Sequence, residues 1–158
     1  MLEKVISGGQ TGADQAGWRE AAACGIPTGG ALPRGFLTEA GPRPDFSELY
    51  GAVELATDSY RERTRANVRD SDGTAWLGDY HSAGGRATLD ACRVMGKPFL
   101  IVHDGIATPG EVRDWIVAQG IRTLNVVGDR ASGAPDLGAK VERFLEAVFR
   151  RLGHRAAG

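Results

Sequence analysis

Ser7-Gly8-Gly9-Gln10-Thr11-Gly12 stands between a short apolar segment ending in Val5-Ile6 and a stretch, Ala13 to Cys24, whose only helix breaker is Gly17. A glycine turn that opens a helix lets backbone amides approach an anion closely, while the helix dipole favours negative charge there. The run departs from the dinucleotide-binding fingerprint, because Ser7 takes the place of the first glycine, and it lacks the Lys-Ser/Thr that ends a P-loop. The acid that would hold a ribose after the second strand is also missing, since the chain reads Leu32-Pro33-Arg34 there. A nicotinamide dehydrogenase is therefore disfavoured, and tight turn geometry alone is the competing account of these glycines. Asp14, in the first helical turn, suits the dipole but repels a bound anion unless it orients Gln10, Thr11 or a ligand hydroxyl.

A second loop, Gly78-Asp79-Tyr80-His81-Ser82-Ala83-Gly84-Gly85, is followed by Thr88 in the first turn of a helix and offers further amides and a hydroxyl. No nucleophile stands beside a base. His81 is within reach of that loop, His103 ends a strand and His154 lies in the tail; lone histidines of this kind are more often structural or exposed than catalytic. Arg61, Arg65 and Arg69 recur every four residues as a basic stripe, with Arg63, Asn67 and Asp70 on another face, and such stripes usually face solvent. Asp70 sits where a carboxylate opposes the helix dipole, so it should have a partner or cap the Ser71-Asp72-Gly73 turn. Cys24 and Cys92 match no disulfide framework or zinc spacing and are expected in the core, and Trp18 and Trp115 in the core or at an interface.

The elements that must carry these loops follow from periodicity and punctuation. Strands are expected near Val5-Ile6, Thr28 to Leu32, Ala52 to Thr57, Thr74 to Leu77, Pro98 to His103 and Arg122 to Val127. Helices are expected from Ala13 to Cys24, closed by Gly25, and from Tyr60 to Asp70 behind a Ser59–Glu62 capping box. Others run through Leu89, Cys92 and Met95, behind the Thr108–Glu111 capping box, and along Leu137, Val141, Leu145, Val148 and Leu152. Pro33 to Ser47 reads as a long loop. Strands that alternate with helices need right-handed crossovers, which gives an α/β fold with a doubly wound parallel sheet, single domain, expected order 3-2-1-4-5-6. In that order strands one and four are neighbours, and both glycine loops open on the crevice between them.

The chain's 158 residues suit one domain, set here at residues 1–153 with a frayed tail at 154–158. Lys plus Arg number 19 against 20 Asp plus Glu, so there is no global attraction to nucleic acid. Apolar runs are too short to cross a membrane, and the first residues lack the apolar region of a signal peptide, so a cytoplasmic location is expected. Glycine is in excess, 23 residues, about twice its usual share, which is why the glycine loops carry the functional reading.

Several blocks together resemble the putative molybdenum carrier family. They are Ser7 to Asp14, Pro33-Arg34-Gly35, Tyr60 through Arg63-Thr64 and Asn67 to Thr74, Gly84-Gly85, Gly96-Lys97-Pro98, and Leu124-Asn125-Val126-Val127-Gly128. The family is Rossmann-like and related to the lysine-decarboxylase-like phosphoribohydrolases and to the DNA-processing protein DprA. The resemblance implies a homo-oligomer, dimer or tetramer, that binds the molybdenum cofactor (molybdopterin) or another anionic, phosphate-containing ligand such as a nucleotide. The amides of Gly8, Gly9, Gly12, Gly84 and Gly85 would hold the phosphate, with Ser7 in the same turn. Gln10, Thr11 and Thr88 would add side-chain contacts, Arg34 a cationic clamp, and Asp70 and Asp72 either acceptors for ring nitrogens or braces for their turn.

The rival within the resemblance is a nucleotide phosphoribohydrolase, and a nucleotide-sensing regulatory domain is a third reading. In the hydrolases the second loop carries a glutamate, but here that position is Ala91, with Asp90 one residue out of register and about 100° around the helix. A binding or carrier protein is therefore expected rather than an enzyme. On this reading an acidic substitution at Gly9 or Gly85 weakens binding and leaves the fold intact.

Overall fold

A computed structural model describes residues 1–102 and 106–156. Six strands form one parallel sheet in the order β5-β2-β1-β8-β6-β7: β1 Lys4–Ile6, β2 Thr28–Leu32, β5 Ala52–Glu54, β6 Gly73–Leu77, β7 Phe99–Val102 and β8 Thr123–Gly128. The expected end of the fifth strand at His103 lies outside the described residues. Helices α1 (Ala13–Ala23), α5 (Pro109–Ala118) and α6 (Leu137–Arg151) cover one face, where Ala13, Ala16, Val112, Ile116, Val141, Leu145 and Phe149 bury against Leu77, Leu124 and Val126. Helices α3 (Tyr60–Arg69) and α4 (Ala83–Met95) cover the other, where Val68 packs with Ala91 and Cys92.

The strand order corrects the sequence expectation. The last strand, β8, is inserted between β1 and β6, so in the numbering used above the order is 3-2-1-6-4-5. Right-handed crossovers explain how. The step from β6 to β7 moves outward with α4 on one face, and the return from β7 carries α5 over the opposite face, past β6, to the gap beside β1. Handedness fixes which face a helix covers; it does not fix which gap the next strand fills. Leu124, Asn125, Val126 and Val127 are all buried, as a central strand covered on both sides must be.

Pro33 to Ser47 is more ordered than a loop. Leu37–Thr38 (β3) and Gly41–Pro42 (β4) form a small antiparallel hairpin, and α2 (Phe46–Tyr50) follows it. Phe46 and Tyr50 pack on Trp18, edge-on at 5.3 Å and stacked at 4.7 Å between ring centroids, which draws this segment onto the sheet edge. Trp18 and Trp76 are buried and Trp115 packs against the core, so the exposed apolar side chains are instead Leu49, Val53 and Val94, among others. The Thr108–Glu111 capping box forms in full, but only half of the other does. Ser59 accepts from the Glu62 amide at 3.2 Å, while the Glu62 carboxylate turns to Arg65, 3.7 Å away. Near the end of the chain the His154 ring lies 3.2 Å from the Leu2 carbonyl oxygen, which ties the start of the tail to the residues just before β1.

Candidate functional site

Because β8 lies between β1 and β6, the loop that follows it, Asp129 to Gly133, enters between the two glycine loops. The three strand ends and the α3/α4 face enclose a cavity of about 560 Å³. Strand alternation decides which side chains face it. Trp76 of β6 pairs with Val127 of β8, and Thr74 pairs with Asn125; Trp76, Asn125 and Val127 all line the cavity, while Ala75, Leu77, Leu124 and Val126 point into the opposite core.

Arg63 from α3 is the main charge in the wall. It is buried, its Nη1 donates to the Gly8 carbonyl at 2.7 Å, and the same nitrogen lies 3.5 Å from Asp14 Oδ2. Burial lowers the Arg63 pKa and the Asp14 carboxylate pulls it back up. Asp14 accepts from the amides of Gln10 and Gly128, both at 3.2 Å. Its burial nevertheless outweighs Arg63 and these amides and pushes the carboxyl pKa up to about 6. Asp14 thus orients Gln10, one of the roles the sequence allowed it. The Tyr60 ring carries two guanidinium groups, Arg63 at 5.3 Å and Arg130 at 5.0 Å from its centroid, and Arg63 and Arg130 both line the cavity.

Helix α4 opens on the same space. Ser82 accepts from the Gly85 amide at 3.1 Å, so the cap uses that donor, and the amides of Ala83 and Gly84 precede any intrahelical acceptor. Thr88 lines the cavity but donates its hydroxyl to the Gly84 carbonyl at 2.9 Å. Among the described residues five buried side-chain polar atoms have no partner, and four belong to residues of this wall: Gln10 Nε2, Arg63 Nε, Trp76 Nε1 and Asn125 Oδ1. Three of the four are donors. Buried polar groups are normally paired, so this cluster is a local deficit of acceptors.

The sequence candidates divide into three groups. Gln10, Asp14, Gly84 and Thr88 line the cavity. Ser7, Gly8, Gly9, Thr11, Gly12 and Gly85 pack behind it. Gly9 has a φ of +69°, and a Cβ there would meet Leu32 and Trp18 at 2.8 and 2.9 Å; a Cβ on Gly8 would collide with the Arg63 guanidinium, and one on Gly85 would lie 2.7 Å from the Tyr80 backbone. Thr11 donates to Glu39, the tip of the β3–β4 hairpin, and accepts from the Ala131 amide at 3.2 Å. Glu39 also accepts from the Ser132 hydroxyl at 2.6 Å, and these bonds hold its carboxyl below the usual range. Arg34, Asp70 and Asp72 lie away from the cavity. Arg34 is exposed, Asp70 pairs with Arg69 at 2.9 Å, and Asp72 accepts the Arg122 and Thr123 amides at the amino end of the sheet.

Arg63, Asn67, Trp76, Asn125 and Arg130 carried no assigned role in the sequence. A polar Asn125 inside an otherwise apolar strand was the available signal, as was Asn67 beside Arg63 on one helix face. Asn67 makes a ladder-like pair with Ala31, accepting from its amide at 2.8 Å and donating to its carbonyl at 3.0 Å, which pins α3 to β2. His81 is exposed beside Tyr80, outside this wall.

No curated protein matches the chain. A solved structure of a putative molybdenum carrier protein from Syntrophus aciditrophicus SB is 34% identical, with a TM-score of 0.85, and the match covers 93% of this chain and 94% of that one. The model of the circularly permutated YpsA SLOG family matches residues 5–149. A permuted order agrees with a sheet whose last strand in sequence sits beside its first. On the extent of that match and the identity to the solved relative, the chain belongs to the circularly permutated YpsA SLOG family.

Proposed function

We propose that the chain binds and carries a small molecule with a phosphate or similar oxyanion, with the molybdenum cofactor as its first candidate cargo and a nucleotide as the second. The observation that carries this reading is the deficit of acceptors in residues of the cavity wall: unpartnered Gln10 Nε2, Trp76 Nε1 and Arg63 Nε, near the first-turn amides of Ala83 and Gly84 that precede any intrahelical acceptor. An oxyanion supplies acceptors of the required kind, and charge-assisted bonds are the strong ones. Asn125 Oδ1 is left to accept from a hydroxyl donor of the ligand. These residues fit a phosphorylated pterin; the cofactor brings its phosphate charge and a pterin edge, and this chain's residues bind and orient them.

The test is mass spectrometry and metal analysis of what co-purifies with the native protein, together with calorimetric titration of the cofactor, sulfate and mononucleotides. The expected result is a stoichiometric oxyanion ligand that Arg63→Gln releases. The oligomer read from the resemblance is part of the proposal, and light scattering on a sizing column should return a dimer or tetramer.

A phosphoribohydrolase is favoured by the carboxylates that share the cavity with Arg63, namely Asp14, Asp79 and Asp129. Asp90, the carboxylate of the second loop, is exposed on the outer face of α4, 3.6 Å from Arg93. Incubation with adenosine and cytidine monophosphates is expected to release no free base.

A further inference from the structure

A second cavity, about 670 Å³, lies across the carboxyl edge of the sheet on the α5/α6 face. Asp79 and Asp129 line both cavities. Each volume falls within the roughly 300–1,000 Å³ of small-molecule pockets, and a single oxyanion needs far less than the first alone. The second space has a different chemistry. Leu77, Val102, Val141 and Phe144 give it apolar walls, and Glu111, Asp136 and Lys140 add charge of both signs, more of it negative, around it.

The two shared aspartates are fixed by the backbone. Asp129 Oδ2 accepts the Asp79 amide at 2.6 Å, and Asp79 Oδ1 accepts the His81 amide at 2.8 Å. The second oxygen of each carboxylate is left to face the cavities, with Asp79 exposed and Asp129 half-buried. The ridge between the cavities therefore presents carboxylate acceptors, whereas the Arg63 wall presents donors.

Resting on the anion site proposed above, we infer that the ligand straddles the sheet edge: its oxyanion sits by Arg63, and a flat nitrogen heterocycle occupies the second cavity, with N–H donors on Asp79 and Asp129. Apolar walls suit the faces of such a ring, and four carboxylates against the single Lys140 make the space poorer for a second anion than for N–H donors. Pterins and purines share this chemistry.

Calorimetry on the full chain tests it with sulfate, 6-hydroxymethylpterin monophosphate and guanosine 5′-monophosphate. At least one phosphorylated heterocycle should bind about tenfold tighter than sulfate. Whether the pterin or the purine does so identifies the source of the ring. Ala134→Trp, which fills the second cavity, should bring that affinity down to the level of sulfate while leaving sulfate within about twofold. Leu137→Trp gives the same reading should Ala134→Trp melt below the assay temperature. Heterocycles that bind no tighter than sulfate, or affinity unchanged in the filled variants, overturn the inference while the anion site stands. Sulfate binding that is insensitive to Arg63→Gln overturns the anion site, and this inference with it.

Discussion

Arg63 Nη1 bonds the carbonyl of Gly8 and lies 3.5 Å from the carboxylate of Asp14, which joins α3 to the first glycine loop through a buried charge pair. A buried pair gains little over an apolar substitute, but removing one partner strands the other. Arg63→Met is accordingly expected to destabilise by about 3–5 kcal/mol. The double variant with Asp14→Asn should lose less than the sum, as contacting residues do not act additively. Urea unfolding of the four proteins measures the cycle, and strict additivity would show that the pair is not coupled.

The raised pKa of Asp14 makes both stability and binding depend on pH. For a carboxyl group held above its unfolded value, stability is fully present below about pH 4 and is lost as pH rises through about 6. A shift from 3.8 to about 6 corresponds to roughly 3 kcal/mol. An anion beside Asp14 further favours the protonated form, so sulfate, whose charge is constant over this range, should bind more tightly at pH 5 than at pH 8. Asp14→Asn should flatten both profiles, and a wild-type sulfate affinity that does not change across pH 6 is the contrary outcome.

The glycine substitutions are expected to act on folding as well as on binding. Aspartate at Gly9 is strained at φ +69° and pushes on Leu32 and Trp18, and at Gly85 it meets the Tyr80 backbone. Overpacking of this kind costs about 1–3 kcal/mol. Gly9→Ala and Gly85→Ala, which add no charge, should therefore lower the melting temperature too. Calorimetric melting identical to wild type in both would contradict the packing described here.

Asn125 donates to the Thr74 hydroxyl at 3.2 Å, and its buried Oδ1 has no partner. A buried acceptor left unsatisfied costs about 1–3 kcal/mol. Asn125→Val is expected to change stability little or raise it, while weakening the ligand if Asn125 Oδ1 meets it as proposed. Chemical denaturation and titration on the same protein separate the two effects; a large loss of stability with binding intact points to a purely structural Asn125.

The alternation of apolar segments with helix starts and stops was enough to read a parallel α/β sheet, because strand and helix periods, capping boxes and the Gly25 stop are local properties of the chain. Thr108–Glu111 formed as spaced, and α6 buries Val141, Leu145 and Val148 along its expected stripe. The loops after β1 and β6 were also legible, since Gln10, Asp14, Gly84 and Thr88 reached the cavity. Tertiary structure decided the rest. Only pairing in three dimensions puts β8 beside β1, and that insertion brings Asn125, Asp129 and Arg130 to loops 40 or more residues away in sequence. It also turned the glycines from a cradle into close-packed supports, because Arg63, Leu32 and Trp18 occupy the space a side chain would need. An arginine on a basic helix reads as solvated until the sheet beneath it is known; its burial against Asp14 depends on contacts between residues 49 positions apart in sequence, which no local pattern encodes.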